Sequence, residues 1–397
     1  MIGLVLDAGK RVLTLVLRTV RPLGWIVLSI AVSAWVVGET LGWIESLTIA
    51  GAAAILLLLC AGFLVGRSAL EVQMDLRPAR VVAGERANGR LAVINRSTSR
   101  MRPLRVDLVV GGAVATFDIP SLARGEPHED LFQIPTTRRG VIQVGPARVV
   151  RADPVGLLAR VVSHSGSRTL FVHPKAIRVG GAGAGFLRDL EGQASADLSR
   201  SDLAFHSLRK YTPGDDRHHV HWKSSAKTGE LMVQQFVDIR RAHVLVVLDT
   251  ERNKYSGSEQ FETAVSVVAS IGTQTIRDAQ ALSVVAGHQV LATNARSSLL
   301  DGLSGVETSG VIGSLARAMA LGARSAPGAS LVVIVTGTQT TLAELRAVGR
   351  RFGIDTRIAV VLVGETDRGY QTIENMVIFG ISELTELPAV VRTAMRT

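Results

Sequence analysis

From Leu47 to Val65 the chain reads LTIAGAAAILLLLCAGFLV, a run without a single charge. As a helix rising about 1.5 Å per residue, it matches the ~30 Å hydrocarbon core of a bilayer, which predicts a transmembrane span. A shorter uncharged run, Pro22 to Gly38 (PLGWIVLSIAVSAWVVG), precedes it, and Trp25, Trp35 and Trp43 fall where interfacial aromatics belong. Residues 22–66 are therefore expected to form a two-helix transmembrane hairpin. The connecting GETLGWIES carries Glu39 and Glu45 but no Lys or Arg. Lys10, Arg11, Arg18 and Arg21 precede the first span, and Arg67, Arg77 and Arg80 follow the second. By the positive-inside rule both flanks face the cytoplasm of a multi-pass inner-membrane protein. A cleaved signal peptide is the rival for the first span, but no small-x-small site follows and a second span arrives at once. Residues 1–21 form a basic cytoplasmic segment. As a helix, its Arg11, Arg18 and Arg21 share one face, as on anionic headgroups; a continuation of the first span or a disordered tail is the alternative.

The remaining length has to hold soluble domains, since 397 residues exceed one ordinary domain of roughly 100 to 200. The formal net charge of +10 suits a neighbour of anionic lipid or nucleic acid and decides neither. Cys60 is the only cysteine, which excludes an intrachain disulfide and a Cys-based metal site.

Beyond Arg67 the pattern turns to period two. Leu104, Val106, Leu108 and Val110 alternate with polar residues, as do Ala115, Phe117 and Ile119, and glycine turns recur between such runs. Residues 70–178 are expected to form a small β-sandwich. Residues 179–242 hold a glycine-rich linker, GGAGAG from Gly180, and a mixed-polarity segment; no Lys-Ser/Thr pair follows the glycines, so they make no phosphate loop. From residue 243 to 397 apolar strands (Val244–Leu248, Leu282–Ala286, Leu331–Val335, Ile358–Val363) alternate with helices (Glu259–Ile276, Val311–Leu321, Leu342–Phe352). This is the grammar of an α/β doubly wound, largely parallel sheet, which binds ligands at its C-terminal strand ends.

The most distinctive stretch is LRKYTPGDDRHHVHWKSSAKTGELMVQQF, Leu208 to Phe236. Pro213-Gly214-Asp215 is a turn, and Asp215 and Asp216 stand beside Arg217, so a local ion pair is available. His219 and His221 would share one face of a strand, but two imidazoles without a third ligand make a poor metal site. Trp222 reads as an apolar anchor.

This segment closely resembles the signature of the DUF58 family of unknown function, whose members accompany MoxR-type AAA+ ATPases. Arg138-Arg139-Gly140-Val141, Asp153-Pro154-Val155-Gly156-Leu157 and Phe171-Val172-His173-Pro174 resemble further elements of that family. Tyr211, Gly214, Asp215, Arg217, Trp222, Ser225 and Ala226 match the main positions of the signature. The resemblance implies a membrane-anchored cytoplasmic protein with a von Willebrand factor A-like C-terminal half. It also implies a MoxR-type ATPase as partner and a chaperone-like or adaptor role in assembling client complexes. A-type domains hold a divalent cation through a D-x-S-x-S loop. Here that loop is Asp249-Thr250-Glu251-Arg252-Asn253, so Asp249, Glu251 and Asn253 are the candidate Mg²⁺ ligands, while Thr336-Gly337-Thr338 lacks the usual distal acid.

No nucleophile, base and acid set survives inspection, so a binding protein is expected rather than an enzyme. A metal-dependent hydrolase on Asp215, Asp216 and the histidines is the enzymatic alternative. A cation-dependent adhesion protein is the third class, and it requires the opposite orientation. Nucleic-acid binding is disfavoured, because acidic residues interrupt the cluster Arg209, Lys210, Arg217, Lys223 and Lys227, and only 4% of residues are aromatic.

Overall fold

The two uncharged runs fold as helices α1 (Pro22–Leu41) and α2 (Ile44–Leu64) in a computed structural model. The model describes residues 19–64, 70–163, 166–179, 203–213, 215, 217–238, 243–353, 356–365, 371–373 and 375–394. Both helices are long and apolar enough to cross a membrane. The hairpin is tighter than the sequence suggests: Glu39 and Glu45 are helical, and only Gly42 and Trp43 join the helices. Large apolar side chains such as Ile26, Trp35, Ile55 and Leu58 point outward, as lipid-facing residues do, while the contact between the helices uses small ones. Ala31, Gly38 and Ala50 are buried, and a Cβ on Gly38 would lie 2.6 Å from Leu47 Cγ. The basic residues Lys10, Arg11, Arg18 and Arg67 lie outside the described residues.

The chain divides into two units, Met1–Val172 and His173–Thr397. In the first, alternation produces strands with one buried face. β1 (Leu70–Leu76), β3 (Ala87–Asn95) and β6 (Pro127–Ile134) form one antiparallel sheet in the order β1-β3-β6. The larger sheet runs β2-β9-β7-β4-β5, with β8 also paired to β7. Its strands are β2 (Arg80–Val82), β4 (Leu104–Val110), β5 (Ala113–Ile119), β7 (Gly140–Ala152), β8 (Ala159–Ser163) and β9 (Arg168–His173). Val106 and Leu108 of β4, Val144 of β7 and Leu170 of β9 share one core with Met74, Leu91 and Val93 of the smaller sheet. The alternation at Leu104–Val110 thus maps onto burial as period two requires.

The second unit contains a two-stranded antiparallel ribbon and a seven-stranded sheet. The ribbon pairs β10 (Leu203–Lys210) with β11 (Met232–Asp238), and the helix α3 (Trp222–Thr228) lies between them in sequence. The large sheet has the order β14-β13-β12-β15-β16-β18-β17. Its five central strands are parallel: β13 (Ala281–Ala286), β12 (His243–Leu248), β15 (Leu331–Gly337), β16 (Arg357–Val363) and β18 (Met376–Ile381). The edges β14 (Gln289–Leu291) and β17 (Gln371–Ile373) are antiparallel. Apolar side chains point to both faces, so both faces are covered. α4 (Ser258–Arg277), α5 (Arg296–Ser304) and α8 (Leu387–Ala394) pack with Val244, Val246 and Leu248; α6 (Ser314–Ser325) and α7 (Leu342–Gly349) pack with Leu245 and Val247.

Sequence periodicity places the helix before β15 at Val311, three residues early. Residues 309–313 are instead drawn into a loop by Glu251, as described below. Helix α5 and strand β18 carry too weak a periodic signal to be read from sequence. The segment leaving β9 is tied down in the second unit, where His173 Nε2 lies 2.8 Å from Asp301 Oδ1 and Ile177 N–H donates to Ser270 Oγ at 3.0 Å.

Candidate functional site

The signature segment folds around a network of short-range hydrogen bonds. Asp215 is held from across the turn. It takes a two-pronged bond from Arg209 at 2.7 and 2.8 Å, because the strand places that guanidinium across the turn, and it also accepts the N–H of Thr212 at 2.8 Å. The Arg209 guanidinium and that N–H hold the Asp215 carboxyl below its ordinary range. Half-buried Tyr211 closes the ribbon through its N–H to Leu231 O at 2.8 Å. Gly214, Asp216 and the Arg217 side chain lie outside the described residues.

His219 and His221 do not share a strand face. Residues 217–219 form a 3-10 turn, Val220 makes a single bridge to Val233, and His221 caps α3. Its Nδ1 accepts the N–H of Ser224 at 3.3 Å and lies 2.8 Å from Ser224 Oγ, so that nitrogen is spent on capping. Ser225 is buried; its hydroxyl donates to His221 O and accepts the Met232 N–H at 2.8 Å, fastening α3 to β11.

Trp222 does not anchor the segment into this chain's own core. The inward position of this short helix is Ser225, and Trp222, at the helix start, is 69% exposed. Lys223, Ala226 and Lys227 are exposed beside it. The signature thus holds a fixed helix that presents a large aromatic and two lysines to its surroundings.

At the C-terminal ends of β12 and β15 the residues of the expected cation loop are found satisfying one another. Asp249 is fully buried; Oδ1 accepts the Glu251 N–H at 3.0 Å, and Oδ2 accepts the Thr336 hydroxyl at 2.9 Å. Since Thr336 donates there, Thr340 supplies the proton of the 2.7 Å bond between the two hydroxyls. Glu251 Oε2 accepts the Gly313 N–H at 2.8 Å, and Thr250 Oγ1 meets Ser314 Oγ at 2.8 Å, which pins the loop before α6. Asn253 is exposed on a 3-10 turn. Asp249 and Glu251 thus each hold protein donors that knit the loop, and the exposed Asn253 makes no part of that network. Among the described residues no three His, Cys, Asp or Glu side chains group as a metal shell. Burial pushes the Asp249 carboxyl above its ordinary range, and the bonds from Glu251 and Thr336 only partly offset this.

The third constellation gained its meaning only from the fold. In the turn Asp153-Pro154-Val155-Gly156-Leu157, the buried Asp153 carboxylate accepts the N–H groups of Val155, Gly156 and Leu158 at 2.8, 2.7 and 2.5 Å. Burial raises its pKa, but these backbone donors and the Cys60 thiol more than compensate, and the group stays below its ordinary range. Leu157 and Leu158 pack against Cys60 and Leu64 of α2. Arg21 N–H donates to Leu157 O at 2.9 Å, and a Cβ on Gly24 would collide with that same oxygen. This turn is the joint between the hairpin and the strands of the first unit.

Residues 207–365 match the family described as "Protein of unknown function DUF58". The chain is also 30% identical over 142 residues to the uncharacterized protein YeaD of Bacillus subtilis (strain 168), an alignment covering 35% of this chain and 34% of YeaD. The chain thus spans about a third of the length of the curated relative it matches. Among solved structures, the CARDB domain of the PF1109 protein from Pyrococcus furiosus, crystallised with di-metal ions, aligns at 18% identity. That alignment covers 26% of this chain and 93% of that domain, with a TM-score of 0.21. The C-terminal domain of wzt aligns at 11% identity over 28% of this chain and 78% of its own, with a TM-score of 0.22. Likenesses of this extent carry no assignment of fold.

Proposed function

We propose that this chain is a membrane-anchored DUF58 protein that acts by binding. Its signature segment docks a MoxR-type AAA+ ATPase, and the pair assembles or matures other protein complexes on the cytoplasmic side of the membrane. The observation that carries the reading is Trp222. An aromatic left 69% exposed on a hydrogen-bonded helix, inside the segment that matches the family, has the character of an interface anchor. Lys223 and Lys227 beside it favour a partner with acidic side chains at the rim of its binding pocket.

Within this reading the first unit is a β-sandwich, supported by one core shared between two antiparallel sheets. The second is von Willebrand factor A-like, supported by a parallel sheet covered on both faces. Binding rather than hydrolysis is supported by the engagement of Asp215 with Arg209 and of His221 with its helix. Asp249 is buried with both carboxylate oxygens engaged by protein donors, which favours a structural role over cation-dependent adhesion.

The test is co-purification of the full chain with the cognate ATPase from detergent-solubilised membranes, with and without ATP. The natural chain is expected to retain the ATPase and Trp222→Ala to lose it while keeping its melting temperature. A folded natural chain that never retains the ATPase overturns the adaptor reading.

A further inference from the structure

The end of the hairpin at which α1 begins and α2 finishes is identified by its contacts with the strand unit. Val20 bridges Leu158, and Cys60 and Leu64 pack with Leu157 and Leu158. Three arginines stand in or beside the segments that meet there. Arg21 stands at the start of α1. The Arg102 guanidinium lies 5.3 Å from the ring centroid of Phe63, which is 44% exposed on the last turn of α2. Arg160 follows Leu158 by two residues. All three are exposed, and among the described residues none has a carboxylate within ion-pair distance. Val155 and Val161, each 53% exposed, supply apolar surface on the same turn and strand.

Cationic and apolar groups mixed at the end of a membrane span are the complement of a phospholipid headgroup. Guanidinium groups pair with phosphate oxygens, and aliphatic side chains meet the upper acyl chains. On the reading that α1 and α2 cross the bilayer, we propose that Arg21, Arg102 and Arg160 form a binding site for the phosphate of an anionic phospholipid. The first unit is then seated on the bilayer by the 153–157 turn instead of hanging from a free tether.

The full chain is reconstituted in nanodiscs of mixed phosphatidylcholine and phosphatidylglycerol. The lipids retained on release are then counted by native mass spectrometry. The natural chain is expected to keep phosphatidylglycerol in excess of its bulk share. Arg102→Ala and Arg160→Ala should each reduce that excess by about five-fold, the weight of one basic residue at an anionic surface, and Arg102→Lys should keep most of it. Shielding of Cys60 from maleimide in every variant shows that the joint has kept its fold. A natural chain that retains the two lipids at their bulk ratio overturns the site, and so does an Arg102→Ala/Arg160→Ala chain that keeps the natural excess. Alkaline carbonate extraction separates the underlying reading. A chain released by carbonate overturns the spanning hairpin and the site together, whereas an inserted chain without lipid preference overturns the site alone.

Discussion

Two buried aspartates carry opposite electrostatic signs. Asp153 is held ionised by backbone donors, and its folded pKa lies below its unfolded value. Its contribution is therefore complete above the ordinary carboxyl value of about 3.9 and is lost as the pH falls through the lowered folded value. Asp153→Asn, which keeps the shape but not the charge, should cost about 1–3 kcal/mol and show as a lower melting temperature. It should also speed maleimide labelling of Cys60, the only thiol and one that packs within this joint. Asp249 is the reverse case, with a folded pKa raised by burial. Its stabilising effect is complete below the unfolded value and is lost as the pH rises through the folded one. Asp249→Asn is expected to raise the melting temperature at neutral pH, since an amide oxygen still accepts the Glu251 N–H and its NH₂ can donate to Thr336. A lower melting temperature, together with loss of a Mg²⁺-dependent stabilisation, would instead show that Asp249 had been a cation ligand.

Among the elements, α3 depends on its cap more than on its propensity, for a seven-residue helix is marginal alone. His221→Ala removes the acceptor for the Ser224 N–H, a loss of about 0.5–2 kcal/mol by analogy with other N-caps. The expected signature is faster hydrogen exchange at Ser224 and Ser225 with the exchange of β12 unchanged. If docking needs the helix, ATPase retention should fall with it. The hairpin is governed by close approach: Gly38→Val places a Cβ within 2.6 Å of Leu47 Cγ. Overpacking of this kind costs about 1–3 kcal/mol, read as a lower melting temperature in detergent, and Gly51→Val, at a position with open space, serves as the control.

For the whole molecule, the cytoplasmic reading predicts that protease added to intact spheroplasts leaves the chain beyond Arg67 uncut, and that lysis exposes it. Cleavage from outside would overturn that orientation. What the sequence determined by itself follows from short-range regularities. An uncharged run long enough for a bilayer had to become a membrane-compatible helix, period-two alternation at Leu104–Val110 had to become half-buried strands, and continuous apolar runs such as Val244–Leu248 had to become the interior of a sheet covered on both faces. These patterns are legible because burial is dictated by residue spacing alone. The candidate sites were less legible, because their chemistry depends on partners distant in sequence. Nothing local to Asp249 reveals that Thr336 donates to its carboxylate, and nothing local to Asp215 reveals the grip of Arg209. Trp222 read as an apolar anchor, and its exposure was hidden because it depends on which face of a seven-residue helix Ser225 fastens to β11. The turn at Asp153–Leu157 was recognisable as a motif, but only tertiary packing against Cys60 and Leu64 made it the joint to the hairpin. Hydrogen-bond saturation and exposure are properties of assembled elements, and the tertiary structure alone decided them.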